Sequence, residues 1–306
     1  MSYQQDAPGD WGRMQGTPEI KIAIEELATA DECKLFLRSW QTDSSAILLI
    51  LHGLGGHSGW YIDMGNKLAS RGITVYAMDH RGFGRSGGQP GEIDDYSTYV
   101  DDINFIVTEI RKRHPEATIY ILGHSMGGIF TAHFAAKYAN MLAGVLFLNP
   151  WIQDVVHIPL LTQLAIVLGG LLKSRRYWQV ASGTKAMTTN PEAIGMLLAD
   201  PCWRRKQTAS FLFQILIMRL AVLKKAVHIA IPALVMQGGA DKTVVPTATH
   251  KFYETLISGD KTWRSYPIYS HDSEFEHDRS QLDNDLVTWI YEHSFHQPVI
   301  GNPAPS

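Results

Sequence analysis

Several features that mark specialised classes of protein are scarce or missing in this chain of 306 residues. It has two cysteines, Cys33 and Cys202, which are too few for a disulfide framework, so we expect a reducing, cytoplasmic environment. The net charge of -3 provides no general attraction to nucleic acid, and no nucleic-acid partner is predicted. The longest apolar run, Ile158 to Leu172, is interrupted by polar residues and glycines and is too short to span a bilayer. The polar segment Met1 to Gly16 lacks the apolar core of a secretory signal.

Short apolar runs alternate with segments of helical periodicity along most of the chain, and 45% of the residues are hydrophobic, enough for a sizeable core. About eight strands are predicted, at Ile20 to Ala28, Lys34 to Trp40, Ala46 to Leu51, Ile73 to Met78, Thr118 to Leu122, Gly144 to Leu148, Ala233 to Gln237 and Thr262 to Tyr266. Helices are predicted at Tyr61 to Ser70, Tyr96 to Arg113, Met126 to Tyr138, Thr247 to Ile257 and Asp278 to His293. This alternation predicts an α/β fold with a mostly parallel sheet flanked by helices on both faces.

One interval is too long for a single crossover helix. More than eighty residues separate Leu148 from Ala233. We therefore predict an inserted helical cap at residues 151–228, above the strand ends of a core formed by residues 1–150 and 229–295. The tail at residues 296–306 contains three prolines and is predicted to be mobile.

A serine flanked by glycines follows the fifth predicted strand. Gly123 and Gly127 have no side chains, so the backbone can pass through a tight turn that holds Ser125 above the sheet edge. The proline-free segment Met126 to Tyr138 suits the helix that must follow such a turn. This strand-turn-helix pattern predicts that Ser125 is a catalytic nucleophile.

A second serine has similar neighbours but a different context. Ser86 also lies among glycines, yet Pro90 and Gly91 follow it closely. Proline and glycine at these positions exclude the helix that the turn requires. Ser86 is therefore predicted to be a loop residue.

A nucleophilic serine needs a base and an acid that orients the base. An apolar strand ends in a glycine loop that delivers Asp241, the predicted acid; its alternatives are an Asx turn or a cap of the helix near Pro246. His271 follows the last predicted strand in a loop and is the predicted base. Its rivals are His277, beside the start of the last helix, and His250, inside a predicted helix.

The serine also needs hydrogen-bond donors for the oxyanion. The third predicted strand runs into a loop of the form H-G-x-G, whose glycines let main-chain amides face the site. The N–H groups of Leu54 and Met126 are the predicted donors. His52 and His57 are interpreted as structural, with His52 holding the loop through hydrogen bonds, and no metal is implied. The side chain of His124 is expected to point away from the serine and to pack.

Three motifs carry a family resemblance: Gly-His-Ser-Met-Gly-Gly at 123–128, His-Gly-Leu-Gly-Gly-His-Ser at 52–58 and Asp-His-Arg-Gly-Phe-Gly-Arg-Ser at 79–86. Together they resemble the monoacylglycerol lipase and lysophospholipase family of α/β-hydrolases, in which the order Ser125, Asp241, His271 is expected. The resemblance implies the α/β-hydrolase fold and hydrolysis of a carboxylic ester with one acyl chain, without a cofactor. The chain departs from the family in an acidic loop at 270–278 and in Gly56, where the oxyanion loop commonly carries a glutamate.

Other functions with the same residues stay open. A carboxylesterase for short acyl esters, an amidase or an aminopeptidase uses the same three residues, whereas a dehalogenase or epoxide hydrolase would need a carboxylate in place of Ser125. A non-catalytic binding protein of this fold would usually have lost one of the three.

The predicted cap is apolar and basic. Residues 151–228 contain ten lysines and arginines against three acids. Its leucine-rich stretch suits an acyl chain or the packing of its own helices. The charge predicts peripheral, salt-sensitive contact with an anionic membrane, and the alternatives are solvated helix faces or pairs with acids of the core. The residues expected to make that contact are Lys173, Arg175, Arg176, Arg204, Arg205 and Lys206.

Overall fold

The computed structural model describes residues 20–155, 158–179 and 183–294, so the predicted mobile tail lies outside the described residues. The strands of the main sheet are β1 (Lys21–Ala28), β2 (Lys34–Gln41), β3 (Ala46–Leu51), β4 (Thr74–Met78), β5 (Thr118–His124), β6 (Gly144–Leu148), β9 (Ala233–Gly238) and β10 (Lys261–Tyr266). Two short strands, β7 (Tyr177–Trp178) and β8 (Gln207–Thr208), form a separate ribbon. The sheet order is β1-β2-β4-β3-β5-β6-β9-β10. Only the pairs β1-β2 and β2-β4 are antiparallel within this sheet, which confirms the predicted mostly parallel sheet of about eight strands.

Helices cover both faces of the sheet. The α-helices in the described part of the chain are α1 (Ile62–Ala69), α2 (Ser97–Arg113), α3 (Met126–Tyr138), α4 (Leu160–Leu171), α5 (Thr184–Met187), α6 (Pro191–Ala199), α7 (Ala209–Ala226), α8 (Pro246–Thr255) and α9 (Ser280–Ser294). Along β3, Leu49 packs into one buried cluster with α2, α3 and α8, whereas Ile50 packs into the other with α1 and α9. Successive side chains of a strand point to opposite faces, so a strand buried on both sides reads as one continuous apolar run.

The sheet order places the turn of Ser125 at a crevice. From β3 the chain moves to β4 on one side, and β5 then lies on the other side of β3. The loops that follow β3 and β5 therefore leave in opposite directions and open a crevice at the carboxyl ends of the strands, where ligands bind in open α/β sheets. Asp241 and His271 follow β9 and β10 at the same edge.

The segment between β6 and β9 contains α4 to α7 and the β7-β8 ribbon. Helix α4 packs closely on α7. The approach is so close at Gly170 that a Cβ atom there would collide with Phe213. Six leucines of α4 and its end remain exposed: Leu160, Leu161, Leu164, Leu168, Leu171 and Leu172. Within the described ranges, none of the helices combines the length and the apolar character that crossing a membrane requires.

Candidate active site

The turn between β5 and α3 holds Ser125 in a backbone conformation that residues other than glycine rarely adopt, with φ 53° and ψ -112°. A Cβ atom at Gly123 would collide with the carbonyl of Gly127, and one at Gly127 would collide with the carbonyl of Leu51. Both flanking positions therefore require glycine. The N–H of Ser125 donates to Leu148 O over 3.0 Å, which ties the turn to β6.

The structure brings Ser125, His271 and Asp241 together. His271 Nε2 lies 2.9 Å from Ser125 Oγ, and His271 Nδ1 lies 2.8 Å from Asp241 Oδ2. Because the carboxylate accepts from Nδ1–H, the lone pair of Nε2 is free to accept the serine proton. The other carboxylate oxygen of Asp241 accepts from the N–H groups of Thr243 and Val244, so the Asx turn considered as an alternative is also present.

The electrostatics of the site favour a protonated imidazole. Burial alone lowers the pKa of His271, but the charge and hydrogen bond of Asp241, with the charges of Asp272 and Glu274, raise it to about 9. Burial also opposes the charge of Asp241, yet its pKa is lowered by His271 and by the backbone donors. The site therefore stabilises the ion pair that forms when a proton moves from the serine to the histidine.

The rival residues lie elsewhere. His277 is exposed beside Lys67 and Arg71. His250 is exposed on α8, with its ring against Trp263. Neither histidine is hydrogen-bonded to Ser125 or Asp241 among the described contacts.

Ser86 holds its loop rather than facing the site. Its Oγ donates to Asp79 O over 2.6 Å and accepts from the N–H of Phe36 over 2.8 Å. These contacts agree with its interpretation as a loop residue.

The loop after β3 passes beside the serine. A Cβ atom at Gly53 would lie 3.2 Å from Ser125 Cβ, and Leu54 lines the same cavity. His52 Nε2 accepts from the N–H of His80, so its Nδ1–H donates to Gly53 O over 2.7 Å and holds the loop. Burial lowers the pKa of His52 to about 4, which keeps it neutral. Met126 begins α3, and its N–H has no carbonyl of its own helix to bond.

An aromatic cavity of about 60 Å³ opens over Ser125. Trp60, Trp151 and Trp203 line it together with Met187, and the rings of Trp60 and Trp203 lie 6.1 Å apart. The volume holds roughly four to six water molecules. These tryptophans carry no signal in the sequence, because they come from three separate loops.

Asp200, at the end of α6, clamps the loop that follows β3. Its Oδ2 accepts from Trp60 Nε1–H over 2.7 Å and lies 2.8 Å from His57 Nε2. Burial opposes the charge of Asp200, but these partners lower its pKa to about 2. The ring of Trp60 occupies the space that a side chain at Gly56 would need, since a Cβ atom there would lie 2.9 Å from the ring. A side chain at this position would therefore require the ring of Trp60 to move.

His124 supports the loop that carries His271. Its Nε2 lies 3.2 Å from His271 O, and its Nδ1 lies 3.0 Å from Tyr61 Oη. Burial and then the charge of His271 lower the pKa of His124 to about 3, so Nε2–H donates to the carbonyl. The side chain is not hydrogen-bonded to the serine, as expected, but it does more than pack.

Two groups of side chains bring potential metal ligands within 4.8 Å of one another: His57 with Asp200 and Cys202, and His124 with His271 and Asp272. In the first group, Asp200 already bonds Trp60 and His57. In the second group, both ring nitrogens of His271 already have partners. We assign a metal to neither group.

A parallel sheet whose strand ends present a linked serine, histidine and aspartate defines an α/β-hydrolase of the serine type. The family model described as serine aminopeptidase, S33, matches residues 42–278, and the chain belongs to this family of hydrolases. A monoacylglycerol lipase of Mycolicibacterium smegmatis is 28% identical over 255 residues, which cover 82% of this chain and 90% of the relative. The monoglyceride lipase of Mus musculus is 27% identical over 250 residues, which cover 79% of this chain and 81% of the relative.

The fold is shared with a solved monoacylglycerol lipase of Paleococcus ferrophilus. The two chains are 23% identical with a TM-score of 0.78, over 85% of this chain and 99% of the other. The family resemblance expected from the three motifs and the expected α/β-hydrolase fold are both confirmed.

Proposed function

We propose that the chain hydrolyses carboxylic esters of single-chain lipids, of the monoacylglycerol or lysophospholipid type, through an acyl-enzyme on Ser125. The continuous contact from Ser125 through His271 to Asp241 carries this proposal. The names of its relatives support a lipid ester as the substrate.

The mechanism is a two-step acyl transfer. His271 Nε2 removes the proton of Ser125 Oγ as the oxygen attacks the ester carbonyl, and Asp241 stabilises the imidazolium. The N–H groups of Leu54 and Met126 donate to the oxyanion, and loss of one such donor costs about 3 kcal/mol of transition-state stabilisation. His271 then protonates the leaving alcohol, and a water molecule repeats the attack on the acyl-enzyme.

The segment at residues 151–228 acts in this proposal as a cap that admits the acyl chain. Trp151, Met187 and Trp203 come from this segment and line the cavity over the serine. A cavity of about 60 Å³ is too small for a long acyl chain, so a lipid substrate requires the cap to move.

The same small cavity favours a second candidate, an esterase for short acyl groups, if the cap stays closed. Turnover of monoacylglycerol, lysophospholipid, a ladder of p-nitrophenyl esters and an aminoacyl amide separates the candidates. We expect kcat/KM to rise with acyl length and monoacylglycerol or lysophospholipid to be cleaved. A maximum at acetate or butyrate favours the short-ester esterase, and preference for the amide favours an aminopeptidase.

We further propose that the cap contacts anionic membranes through the exposed leucines of α4 and neighbouring cations. Arg204 and Arg205 are half-buried, and Arg205 donates to the carbonyls of Leu197 and Leu198. Of the six cations expected to make the contact, Lys173, Arg175, Arg176 and Lys206 are exposed, and Arg175 is paired with Glu92. The proposed docking surface therefore contains fewer free cations than the six expected from the sequence.

Vesicle sedimentation tests this docking surface. Because each cation near an anionic surface contributes about 1 kcal/mol, the double variant Lys173→Glu, Arg176→Glu should lose most of its binding to anionic vesicles at low salt. Lys251→Glu, an exposed cation on α8 of the core, should bind like the wild type. Binding that is indifferent to salt and to lipid charge would exclude electrostatic docking.

The clamp of Asp200 provides a further prediction. Asp200→Ala frees Trp60 and His57 and loosens the loop of Leu54, so we expect kcat/KM for a soluble p-nitrophenyl ester to fall about tenfold. Glu192→Ala, which removes an exposed acid from α6 in the same segment, should have little effect. Equal kinetics for the two variants would show that the clamp does not position the oxyanion loop.

A further inference from the structure

Two buried carboxyl groups lie behind His271, one at each nitrogen of the His124 ring. Asp272 Oδ1 is 3.5 Å from His124 Nε2, and Glu274 Oε1 is 3.3 Å from His124 Nδ1. Both acids are at most 2% exposed. Asp272 Oδ2 has no hydrogen-bond partner among the described residues, and the carboxyl group of Glu274 contacts two neutral groups, the hydroxyl of Tyr61 and the ring of His124. Burying a charged carboxylate without a cationic partner costs free energy. The charge state of each acid is therefore decided by its immediate neighbours.

Among the described residues, no lysine or arginine side chain forms an ion pair with either carboxyl group. The guanidinium of Arg279 pairs with Asp283 and Asp63 and donates to the main-chain oxygen of Glu274, not to its side chain. The side-chain oxygen of Glu276 accepts from the N–H of Ser270, and its negative charge adds to the rise in the pKa of Asp272. The remaining polar neighbours, the neutral ring of His124 and the hydroxyl of Tyr61, carry no positive charge.

The two acids differ in what they face. Burial and the charge of Asp272 hold the pKa of Glu274 well above its usual range. Burial also raises the pKa of Asp272, to about 7, although the charge of His271 opposes the rise. Because each carboxylate disfavours ionisation of the other, Asp272 ionises before Glu274, and Glu274 is the acid that keeps a proton when Asp272 is charged.

Asp272 is close enough to act on the base. One of its carboxyl oxygens lies within 4.8 Å of a ring nitrogen of His271. An opposite charge at that separation favours the protonated imidazole. The same loop is held by His124, whose ring lies between the two acids and donates to His271 O.

We propose that Asp272 and Glu274 are positioning residues for the base: ionised Asp272 stabilises the His271 imidazolium, while protonated Glu274 stays neutral and fixes His124. This inference rests on the proposed function of His271 as general base. It assigns different charge states to two acids of one loop, and uncharged variants distinguish them.

The test is the pH dependence of Ser125 labelling by a fluorophosphonate, which needs neutral His271 but no natural substrate. The labelling rate should fall as the pH is lowered, and we call this fall the acid limb. In the wild type its midpoint should lie above the pKa of a free imidazole. Asp272→Asn removes a charge from beside the imidazole, so its acid limb should move down by about one pH unit. Glu274→Gln replaces one neutral group with another and should leave the limb in place.

A matched control and a second variant accompany the test. Asp278→Asn removes an acid from the same loop at an exposed position and keeps the side-chain oxygen that accepts from the N–H of Ser280, so its limb should match the wild type. Asp272→Ser is a second uncharged variant if Asp272→Asn does not fold, and thermal melting monitors folding for each protein. Infrared spectra should show a carboxylic C=O band that Glu274→Gln removes.

Each outcome decides a different point. Equal acid limbs in the wild type and both folded Asp272 variants would overturn the role of Asp272. A limb in Glu274→Gln that moves as far as in Asp272→Asn would overturn the protonated state of Glu274. Absence of labelling of the wild type at any pH would instead contradict the proposed function.

Discussion

Ser125→Ala is expected to abolish ester hydrolysis while leaving the fold unchanged. The substitution removes the attacking oxygen, and loss of a catalytic serine typically lowers kcat by roughly 10⁵-fold or more. The hydroxyl hydrogen-bonds only His271 among the described contacts, and alanine is no larger than serine in the strained turn. Steady-state hydrolysis of a p-nitrophenyl ester and of monoacylglycerol, together with a thermal melt, measures both effects.

Ser86→Ala is the matched control for this variant. Its hydroxyl bonds Asp79 O and the N–H of Phe36, so the loss should lower stability by about 1–3 kcal/mol but leave turnover intact. If Ser86→Ala were inactive and Ser125→Ala active, the nucleophile would be the loop serine.

His271→Ala should damage turnover about as much as Ser125→Ala, because the members of a catalytic triad act as a unit. Asp241→Asn should be somewhat milder, with a loss of about 10⁴-fold, since an amide can present the wrong group to Nδ1 and disturb the tautomer of His271. Measurement of kcat and kcat/KM for the three variants, at a pH where wild-type activity is maximal, tests this ranking.

His277→Ala is the control for the base. The side chain is exposed and six residues along the same loop, so its variant should retain most activity. Strong loss in His277→Ala with near-normal turnover in His271→Ala would assign the base to His277.

The strands were the most predictable part of the fold. Ala46–Leu51 and Gly144–Leu148 are observed with their predicted ends, because buried parallel strands are continuous apolar runs bounded by polar or turn residues. Helix α9 begins at Ser280, two residues later than predicted, after an Asx turn in which the side chain of Asp278 accepts from the N–H of Ser280. Such a turn depends on one rotamer, which periodicity does not reveal.

The contact of Ser125, Asp241 and His271 was also predictable, although the residues are far apart in the chain. Each follows a strand of one parallel sheet, so topology brings their loops to the same edge. The residues that support them were not predictable. The sequence shows Asp272 and Glu274 only as members of an acidic loop, and their burial follows from how that loop packs on His124.

The side-chain contacts of residues 151–228 could not be predicted from the sequence either. Charge counts indicate a basic surface, but they do not show that Arg205 bonds the end of α6 or that Asp200 contacts the distant Trp60. The proposed roles of residues 151–228 in membrane contact and in holding the loop after β3 are tested by the vesicle and Asp200 experiments.

The central claim is that Ser125 is the nucleophile, and mapping of a fluorophosphonate adduct tests it most directly. Intact mass spectrometry of the wild-type protein should show one adduct, and fragmentation should place it on Ser125 within the peptide that joins β5 to α3. Ser125→Ala should remain unlabelled under the same conditions. An adduct on another residue, or equal labelling of wild type and Ser125→Ala, would contradict the claim.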